Sequence, residues 1–293
     1  MTAQARRRSL RPYLPVPSAT DPEYARLWID RWVSYPLAVQ VLARIADLQV
    51  LPDRVRMPNL LIHGPSGVGK SMIIAKFLRD QPEPSRYGRR STPPVIACQM
   101  PAMPSLRSFY SQLIRAMEMP VLMGSALSEL ETDALRKLKT AKPRLLIIDE
   151  IHHVLACTSR EQLAALNTLK FLSNEFRISI VALGTNEALH VMRTDPQIAS
   201  RFDHVELPPW TASEESRSFV AGFGEQLGVN VAAIANDVVA IEYLLDVSGG
   251  VTGRIVEMIR LAARNALVRN RRKLTLEELQ AAGREILGDL NSV

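Results

Sequence analysis

Short apolar runs alternate with longer helical patterns through the middle of the chain. A run whose apolar residues do not alternate with polar ones is typical of a strand covered on both faces, as in a parallel sheet. Between these runs, apolar residues recur every three or four positions, as on one face of a helix. The runs are Asn59–His63, Pro94–Cys98, Arg144–Ile148, Ile178–Leu183 and His204–Leu207. This alternation predicts an α/β fold in which helices flank a five-stranded parallel sheet.

Helical patterns occupy both ends of the chain. Between Glu23 and Leu51 the apolar spacing is interrupted near Pro36, which predicts two short helices. No strand pattern follows Pro208 and Pro209, so the remaining sequence predicts a separate helical domain. The predicted divisions are an N-terminal arm with short helices at 1–55, an α/β core at 56–208 and an α-helical domain at 209–293. Three capping boxes predict helix starts: Ser128-x-x-Glu131, Thr211-x-x-Glu214 and Thr275-x-x-Glu278.

The composition is that of an ordinary globular protein. Of the 293 residues, 47% are hydrophobic and 23% are charged, and no apolar run approaches the roughly 18 residues of a membrane span. We therefore expect a protein that is not inserted in a membrane. Cys98 and Cys157 are the only cysteines, too few for a disulfide framework or a four-ligand zinc site, which favours a reducing, cytoplasmic compartment.

The charge balance gives one indication of a partner. The formal net charge is +6 at pH 7, which mildly favours an anionic partner such as nucleic acid. The first 22 residues include Arg6, Arg7, Arg8 and Arg11 together with four prolines. This composition predicts an extended arm that becomes ordered only on a partner.

A glycine-rich segment follows the first predicted strand directly. It fits the pattern G-x-x-x-x-G-K-[ST], which binds phosphate between a strand and a helix. The glycines let backbone N–H groups surround phosphate, the lysine neutralises β- and γ-phosphate charge, and the hydroxyl binds Mg²⁺. The segment comprises Gly64, Pro65, Ser66, Gly67, Val68, Gly69, Lys70 and Ser71. We therefore predict an ATP and Mg²⁺ site here in preference to a structural glycine turn.

Two adjacent acids follow the third apolar run. Asp149 is placed to hold Mg²⁺ through a water molecule, and Glu150 to polarise the water that attacks the γ-phosphate. An isolated Asp-Glu pair commonly caps a helix, but the upstream P-loop favours the catalytic interpretation. Together the two motifs predict Mg²⁺-dependent hydrolysis of ATP to ADP and phosphate.

Four further residues are candidates for the same site. Asn186, with Thr185 as the second choice, follows the fourth run, where a polar side chain can contact the γ-phosphate or the attacking water; an ordinary turn is the alternative. Arg201 precedes the fifth run without an obvious helical partner, so it is predicted to reach a neighbouring subunit's nucleotide, unless it is simply solvated. Arg254 begins a helix of the last domain and is either a phosphate contact or an exposed arginine.

His152 and His153 are a candidate metal pair that the sequence disfavours. Adjacent side chains are expected to point apart, and no third ligand follows at metal spacing, so both are predicted to be structural residues.

The order of these motifs, with a helical domain after them, resembles that of AAA+ ATPases. More narrowly, four blocks resemble the TniB/TnsC family of transposition ATPases, over about residues 20 to 275. The blocks are Arg56–Ile62, Lys70–Ile74, Asp149–His153 and Leu169–Glu175. The resemblance implies an AAA+ P-loop NTPase core with a C-terminal α-helical lid, and an ATPase that forms a ring or filament on duplex DNA. It also implies two partners, an integrase-type transposase and a TniQ-type targeting protein.

The resemblance assigns roles to the candidate residues. By the family pattern, Lys70 and Ser71 fall on the Walker A motif, Asp149 and Glu150 on the Walker B motif, Asn186 or Thr185 on sensor 1, Arg201 on the arginine finger and Arg254 on sensor 2.

The resemblance also implies DNA contacts from two loops. One follows the second strand, where Arg107 lies, and the other is Val121–Ser128, where Ser125 lies. A competing basic patch in the last domain is expected to be opposed only by Glu257. Its members are Arg260, Arg264, Arg269, Arg271, Arg272 and Lys273. A solvated helix face explains that patch equally well.

Two other functions fit the same motifs. One is a helicase loader or replication initiator, which would also bind ATP and DNA. The other is a nucleotide-dependent signalling switch that does not bind DNA. A protein unfoldase is disfavoured, because Gln99–Arg107 has no aromatic pore loop.

Overall fold

The computed structural model describes residues 22–81, 95–121, 124–193 and 195–290. The predicted arginine-rich arm and Pro94, the first residue of the second predicted strand, lie outside the described residues.

A five-stranded parallel sheet forms the centre of the α/β region, which confirms the predicted strands to within a few residues at their ends. The strands are β1 (Asn59–His63), β2 (Val95–Gln99), β3 (Leu145–Asp149), β4 (Ser179–Gly184) and β5 (Phe202–Glu206). Their order is β2-β3-β4-β1-β5, and every neighbouring pair is parallel. Because all the strands run in one direction, the segments after β1, β3 and β4 leave the same edge of the sheet side by side.

The outermost strand β5 is less covered than the sequence predicts. The run His204–Leu207 suggests a strand buried on both faces, whereas Asp203, His204 and Glu206 of β5 are exposed. The physical reason is its position: within the described residues, β5 pairs with β1 alone and lies at the outside of the sheet.

The described residues form thirteen α-helices and one 3₁₀ helix, Ile151–Ala156. The α-helices are α1 (Pro22–Trp28), α2 (Pro36–Val50), α3 (Lys70–Arg79), α4 (Leu106–Ala116), α5 (Leu127–Ala141), α6 (Ser159–Phe176), α7 (Ala188–Arg193), α8 (Pro196–Ala199), α9 (Glu214–Leu227), α10 (Ala232–Ala235), α11 (Val238–Ser248), α12 (Thr252–Val268) and α13 (Leu276–Leu290). None of the helices in the described part of the chain has the length and apolarity needed to cross a lipid bilayer.

Two of the three predicted capping boxes are displaced. Helix α5 begins two residues earlier than predicted, after Ala126, whose N–H donates to the Glu129 carboxylate at 3.0 Å. Helix α9 begins two residues later, after Ser213. The third box is confirmed, because the Thr275 N–H donates to the Glu278 carboxylate at 3.1 Å. Glu129 and Glu131 lie two residues apart at the start of α5, as do Thr211 and Ser213 at the start of α9, so the pattern alone does not select between them.

One apolar core covers a face of the sheet. Leu146 of β3 and Ile180 of β4 are buried there, together with Leu113 of α4. Tyr110 of α4 is also buried, and its hydroxyl donates to the Glu131 carboxylate of α5 at 2.8 Å. The helices α4, α5 and α6 are therefore fixed against the strands whose ends carry the site.

The described residues divide into two compact units. A sheet unit lies within residues 34–209, and a helical unit combines residues 22–33 with residues 210–290. Within the helical unit, Arg260 of α12 donates to the backbone oxygen of Ile29, just after α1, at 3.0 Å. Helix α1 therefore belongs with the C-terminal helices and α2 with the sheet, although the sequence groups these two helices together.

Candidate active site

The P-loop connects the buried end of β1 to α3, and its backbone requires glycine. Gly67 and Gly69 have φ angles of 80° and 104°, in the left-handed region that favours glycine. At Gly64 the constraint is close approach, because an added Cβ would lie 2.2 Å from the Leu207 carbonyl oxygen. The loop therefore passes directly against the chain that leaves β5.

Lys70 lies at the first residue of α3 and is only 7% exposed. Its Nζ donates to the backbone oxygens of Gly64 and Pro65, each at 2.8 Å. Burial lowers the pKa of Lys70 from its ordinary value, while the carboxylates of Glu150 and Asp149 act in the opposite direction. Both hydrogen-bond acceptors are neutral, so the ammonium can serve as a counter-charge for an anion held by the loop.

The predicted magnesium ligands meet at the carboxyl ends of β1 and β3. The Ser71 hydroxyl donates to Asp149 Oδ2 at 2.8 Å, and the other oxygen, Oδ1, accepts from the Glu150 N–H at 2.8 Å. Glu150 has a left-handed φ of 57°, which is uncommon for a residue other than glycine. The chain therefore makes a sharp turn at Glu150, immediately after Asp149 and before the 3₁₀ helix begins.

These residues fit a nucleotide bound with Mg²⁺. Hydroxyl and carboxylate oxygens are the ligands that Mg²⁺ prefers, and Ser71 and Asp149 supply one of each at hydrogen-bond distance. The buried Lys70 ammonium and the backbone N–H groups at the start of α3 suit phosphate oxygens. The structure thus brings together the residues of both predicted motifs at one edge of the sheet.

Asn186 lies just beyond β4, which neighbours β1. Its Oδ1 is 3.1 Å from Nδ1 of His63, the last residue of β1. His63 is buried, and its Nε2 has no hydrogen-bond partner among the described residues. This contact holds the Asn186 amide beside the start of the P-loop. The sequence analysis did not single out His63 as a site residue. The feature that could have indicated it is a polar residue at the end of an otherwise apolar strand.

The interpretation that His152 and His153 point apart is wrong. Their ring centroids are 4.9 Å apart. His152 Nδ1 lies 3.1 Å from Glu150 Oε2 and 3.4 Å from the backbone nitrogen of Thr185. His153 Nδ1 pairs instead with the backbone oxygen of Met100 at 3.0 Å. The sequence analysis found no third metal ligand beside these histidines. In the structure Glu150 lies there, and potential ligand atoms of Glu150, His152 and His153 are within 4.8 Å of one another.

Arg201 lies at the amino ends of the strands, whereas the P-loop lies at their carboxyl ends. Its backbone oxygen accepts from the Asn59 N–H, at the start of β1, at 3.0 Å. A five-residue strand spans about 13 Å at roughly 3.3 Å per residue, so β1 separates Arg201 from the P-loop. The expected lack of a helical partner is wrong, because Nη1 donates to Asn174 Oδ1 of α6 at 2.8 Å. The structure does not bring Arg201 to the P-loop of its own chain.

Arg254 lies in the first turn of α12, in the helical unit, and its side chain is exposed. The basic patch farther along this unit is more neutralised than the sequence indicates. Three of its arginines form ion pairs with acids other than Glu257: Arg260 with Asp30 at 3.3 Å, Arg264 with Glu285 at 2.7 Å and Arg271 with Glu278 at 3.0 Å. The expectation that only Glu257 opposes the patch is therefore wrong.

Residues beside the two predicted DNA loops line one cleft, and residues 122 and 123 of the second loop lie outside the described residues. Arg107 is exposed in the first turn of α4 and lines a cleft of about 400 Å³. Leu127, the first residue of α5, lines the same cleft, and Ser125 lies two residues before it. Arg160 and Glu161 of α6 also line this cleft, whose surface is mainly apolar. DNA contact by Arg107 and Ser125 stays a prediction.

One family model matches most of the sheet unit. It is described as Bacterial TniB protein and covers residues 24–212. No curated protein matches this chain in sequence.

Several solved structures share the fold. The Aeropyrum pernix ORC1 protein in complex with DNA has a TM-score of 0.66 at 17% identity, over 90% of this chain and 69% of that chain. The Aeropyrum pernix ORC2 protein in ADPNP-ADP complexes has a TM-score of 0.64 at 20% identity, over 89% and 71%. The Thermotoga maritima RuvB Holliday junction branch migration motor has a TM-score of 0.51 at 13% identity, over 85% and 68%. These similarities confirm the predicted fold class, the AAA+ P-loop fold with a C-terminal helical region.

Proposed function

We propose a function from the premise that the chain belongs to the TniB family, since the family match covers well over half of its residues. The protein is a cytoplasmic, ATP-dependent AAA+ regulator of DNA transposition that oligomerises on duplex target DNA. It recruits or activates the transposase and a TniQ-type targeting protein. The observation that carries the proposal is the convergence of Lys70, Ser71, Asp149 and Glu150 in a chain of this family.

The proposed reaction is hydrolysis of ATP to ADP and phosphate. Ser71 and Asp149 would hold Mg²⁺, the latter through water, and Mg²⁺ when bound supplies positive charge to the β- and γ-phosphate oxygens. Lys70 exchanges its two backbone acceptors for phosphate oxygens. Glu150 accepts the proton of the attacking water.

Three other groups complete the proposed site. Asn186, or Thr185 beside it, contacts the γ-phosphate or the attacking water from the end of β4. Arg201 stabilises transition-state charge on the nucleotide of a neighbouring subunit, because β1 separates it from its own P-loop. By the family pattern, Arg254 contributes a phosphate contact. Hydrolysis therefore requires the homo-oligomer.

DNA binding is proposed for the surface that carries Arg107 and Ser125. A net charge of +6 for each subunit is small, but a ring or filament repeats the same phosphate contacts along the duplex. Contacts to phosphate carry no sequence information, so the assembly should cover DNA with little sequence preference.

One alternative has support of its own. A replication initiator or helicase loader is favoured by the similarity in fold to an ORC1 protein in complex with DNA. Such a protein would also bind ATP and DNA. What distinguishes it from a transposition regulator is its partner, which would be a helicase or a replication origin instead of a transposase. The other alternative, a signalling switch, would not bind DNA in any nucleotide state.

Fluorescence anisotropy with labelled duplex DNA tests the proposal. The protein should bind several unrelated duplexes equally well with ATP and bind them poorly with ADP. Arg107→Ala should weaken binding uniformly and reduce the slope of log affinity against log salt by about 0.9 for each phosphate that Arg107 neutralises. Arg115→Ala is a matched control, because it removes the same charge from the other end of α4. Equal, weak binding with ATP, with ADP and without nucleotide would reject the DNA scaffold and favour the signalling switch.

A further inference from the structure

One imidazole nitrogen in the candidate site faces two competing groups. His152 Nδ1 lies 3.1 Å from Glu150 Oε2 and 3.4 Å from the Thr185 backbone nitrogen. A backbone N–H is always a donor, and a carboxylate oxygen is an acceptor. Nδ1 can therefore accept from Thr185 when it carries no proton, or donate to Glu150 when it carries one. It cannot do both at once.

Packing keeps the His152 ring between these two partners. An added Cβ at Gly184 would lie 3.3 Å from His152 Nδ1, 3.1 Å from Ile151 Cγ2 and 2.8 Å from Ala188 Cβ. The ring thus lies directly against the end of β4, and only about a fifth of the side chain is exposed. The exchange between Thr185 and Glu150 then requires a change of tautomer and a small displacement, not a swing of the ring.

The turn after β4 also reaches the P-loop strand. Asn186, next to Thr185, contacts His63 at the end of β1 at 3.1 Å. A shift of this turn changes whether the Thr185 N–H reaches His152 Nδ1. A continuous series of contacts therefore runs from the end of β1, through the turn and His152, to the Glu150 carboxylate.

We propose that His152 is a positioning residue that couples the turn Gly184–Asn186 to the Glu150 carboxylate. When Nδ1–H donates to Glu150, the carboxylate is held through Oε2 and its other oxygen is oriented to receive a proton from water. When the Thr185 N–H occupies Nδ1, Glu150 is released and is no longer oriented. This inference rests on the proposed function, because it assumes that Glu150 is the base in ATP hydrolysis.

Steady-state ATPase kinetics of the full chain test this role. His152→Ala should lower kcat at least tenfold while leaving KM for ATP and the melting temperature close to those of the wild type. His152→Asn should recover most of the activity, because its amide places a donor near the position of Nδ1 and a carbonyl acceptor beside it. His152→Gln reaches toward the Nε2 position instead and should recover little.

His153→Ala is the matched control. It removes the neighbouring ring, whose Nδ1 pairs with the Met100 carbonyl and not with Glu150, so kcat should stay within about threefold of the wild type. A kcat of His152→Ala within twofold of the wild type would overturn the proposal. Equal losses in the Ala, Asn and His153 variants would also overturn it, because they would indicate only a general disturbance of the 3₁₀ helix.

A second measurement does not depend on turnover. The imidazole nitrogen resonances of ¹⁵N-histidine-labelled protein should show a shift at His152 Nδ1 in Glu150→Ala, with little change at His153. If the wild type binds ATP without hydrolysing it, the proposed ATPase fails, while this shift would still support the coupling of His152 to Glu150. An unchanged His152 resonance would overturn the coupling, whatever the ATPase result.

Discussion

Replacing Arg201 with alanine should abolish ATP turnover while leaving nucleotide binding by each subunit intact. The reason is its position, since the Arg201 backbone is bonded to the start of β1, about 13 Å from the edge that carries the P-loop. We therefore propose that the guanidinium, whose Nη1 donates to Asn174, acts on the nucleotide of a neighbouring subunit. The same change should remove ATP-dependent oligomerisation.

The expected loss can be separated from a loss of folding. An arginine that stabilises transition-state charge contributes on the order of a thousandfold in kcat, or about 4 kcal/mol. The Arg201 hydrogen bond to Asn174 contributes only about 1 kcal/mol to stability. Asn174→Ala removes this hydrogen bond but keeps the guanidinium, so it should keep turnover within a fewfold of the wild type.

Mixing variants tests action between subunits. Glu150→Gln subunits lack the base but retain Arg201, so adding them to Arg201→Ala subunits should restore turnover at the Arg201→Ala active sites. Phosphate release is measured across a range of mixing ratios at constant total protein. The absence of rescue at every ratio, or a loss in Asn174→Ala as large as that in Arg201→Ala, would refute an arginine that acts in trans.

Two further predictions concern chemistry and packing. Glu150→Gln should keep its affinity for Mg²⁺-ATP, measured by calorimetry, while turnover falls by roughly two orders of magnitude or more. Lys70→Ala should instead weaken nucleotide binding itself. Normal turnover of the Glu150→Gln variant would remove Glu150 from the mechanism. In helix α9, Gly224→Ala places a Cβ 2.3 Å from Val231 Cγ2, and overpacking of about 1–3 kcal/mol should outweigh the roughly 1 kcal/mol gain in helix propensity. Gly222→Ala in the same helix meets only a side-chain contact at 3.3 Å, so denaturant titration should show it to be the more stable variant; the opposite order would contradict the packing argument.

Local patterns in the sequence were sufficient to predict the strands and the phosphate-binding chemistry. A continuous apolar run such as Leu145–Ile148 can be covered only inside a layered fold, and the glycines around Lys70 fit one narrow backbone geometry. Parallel strands place their carboxyl ends at one edge, so the convergence of Ser71 and Asp149 followed from the order of the elements. These features depend on neighbours within a few residues or on a general rule of sheet topology.

Tertiary structure alone decided which distant residues meet. It placed β5 at the edge of the sheet, assigned α1 to the helical unit and paired Arg264 with Glu285, 21 residues away. It also brought Thr185 to His152, 33 residues away, because the left-handed turn at Glu150 and the end of β4 converge at that point. Partners of this kind are selected by the packing of whole elements, and the spacing of residues along the chain carries no record of them.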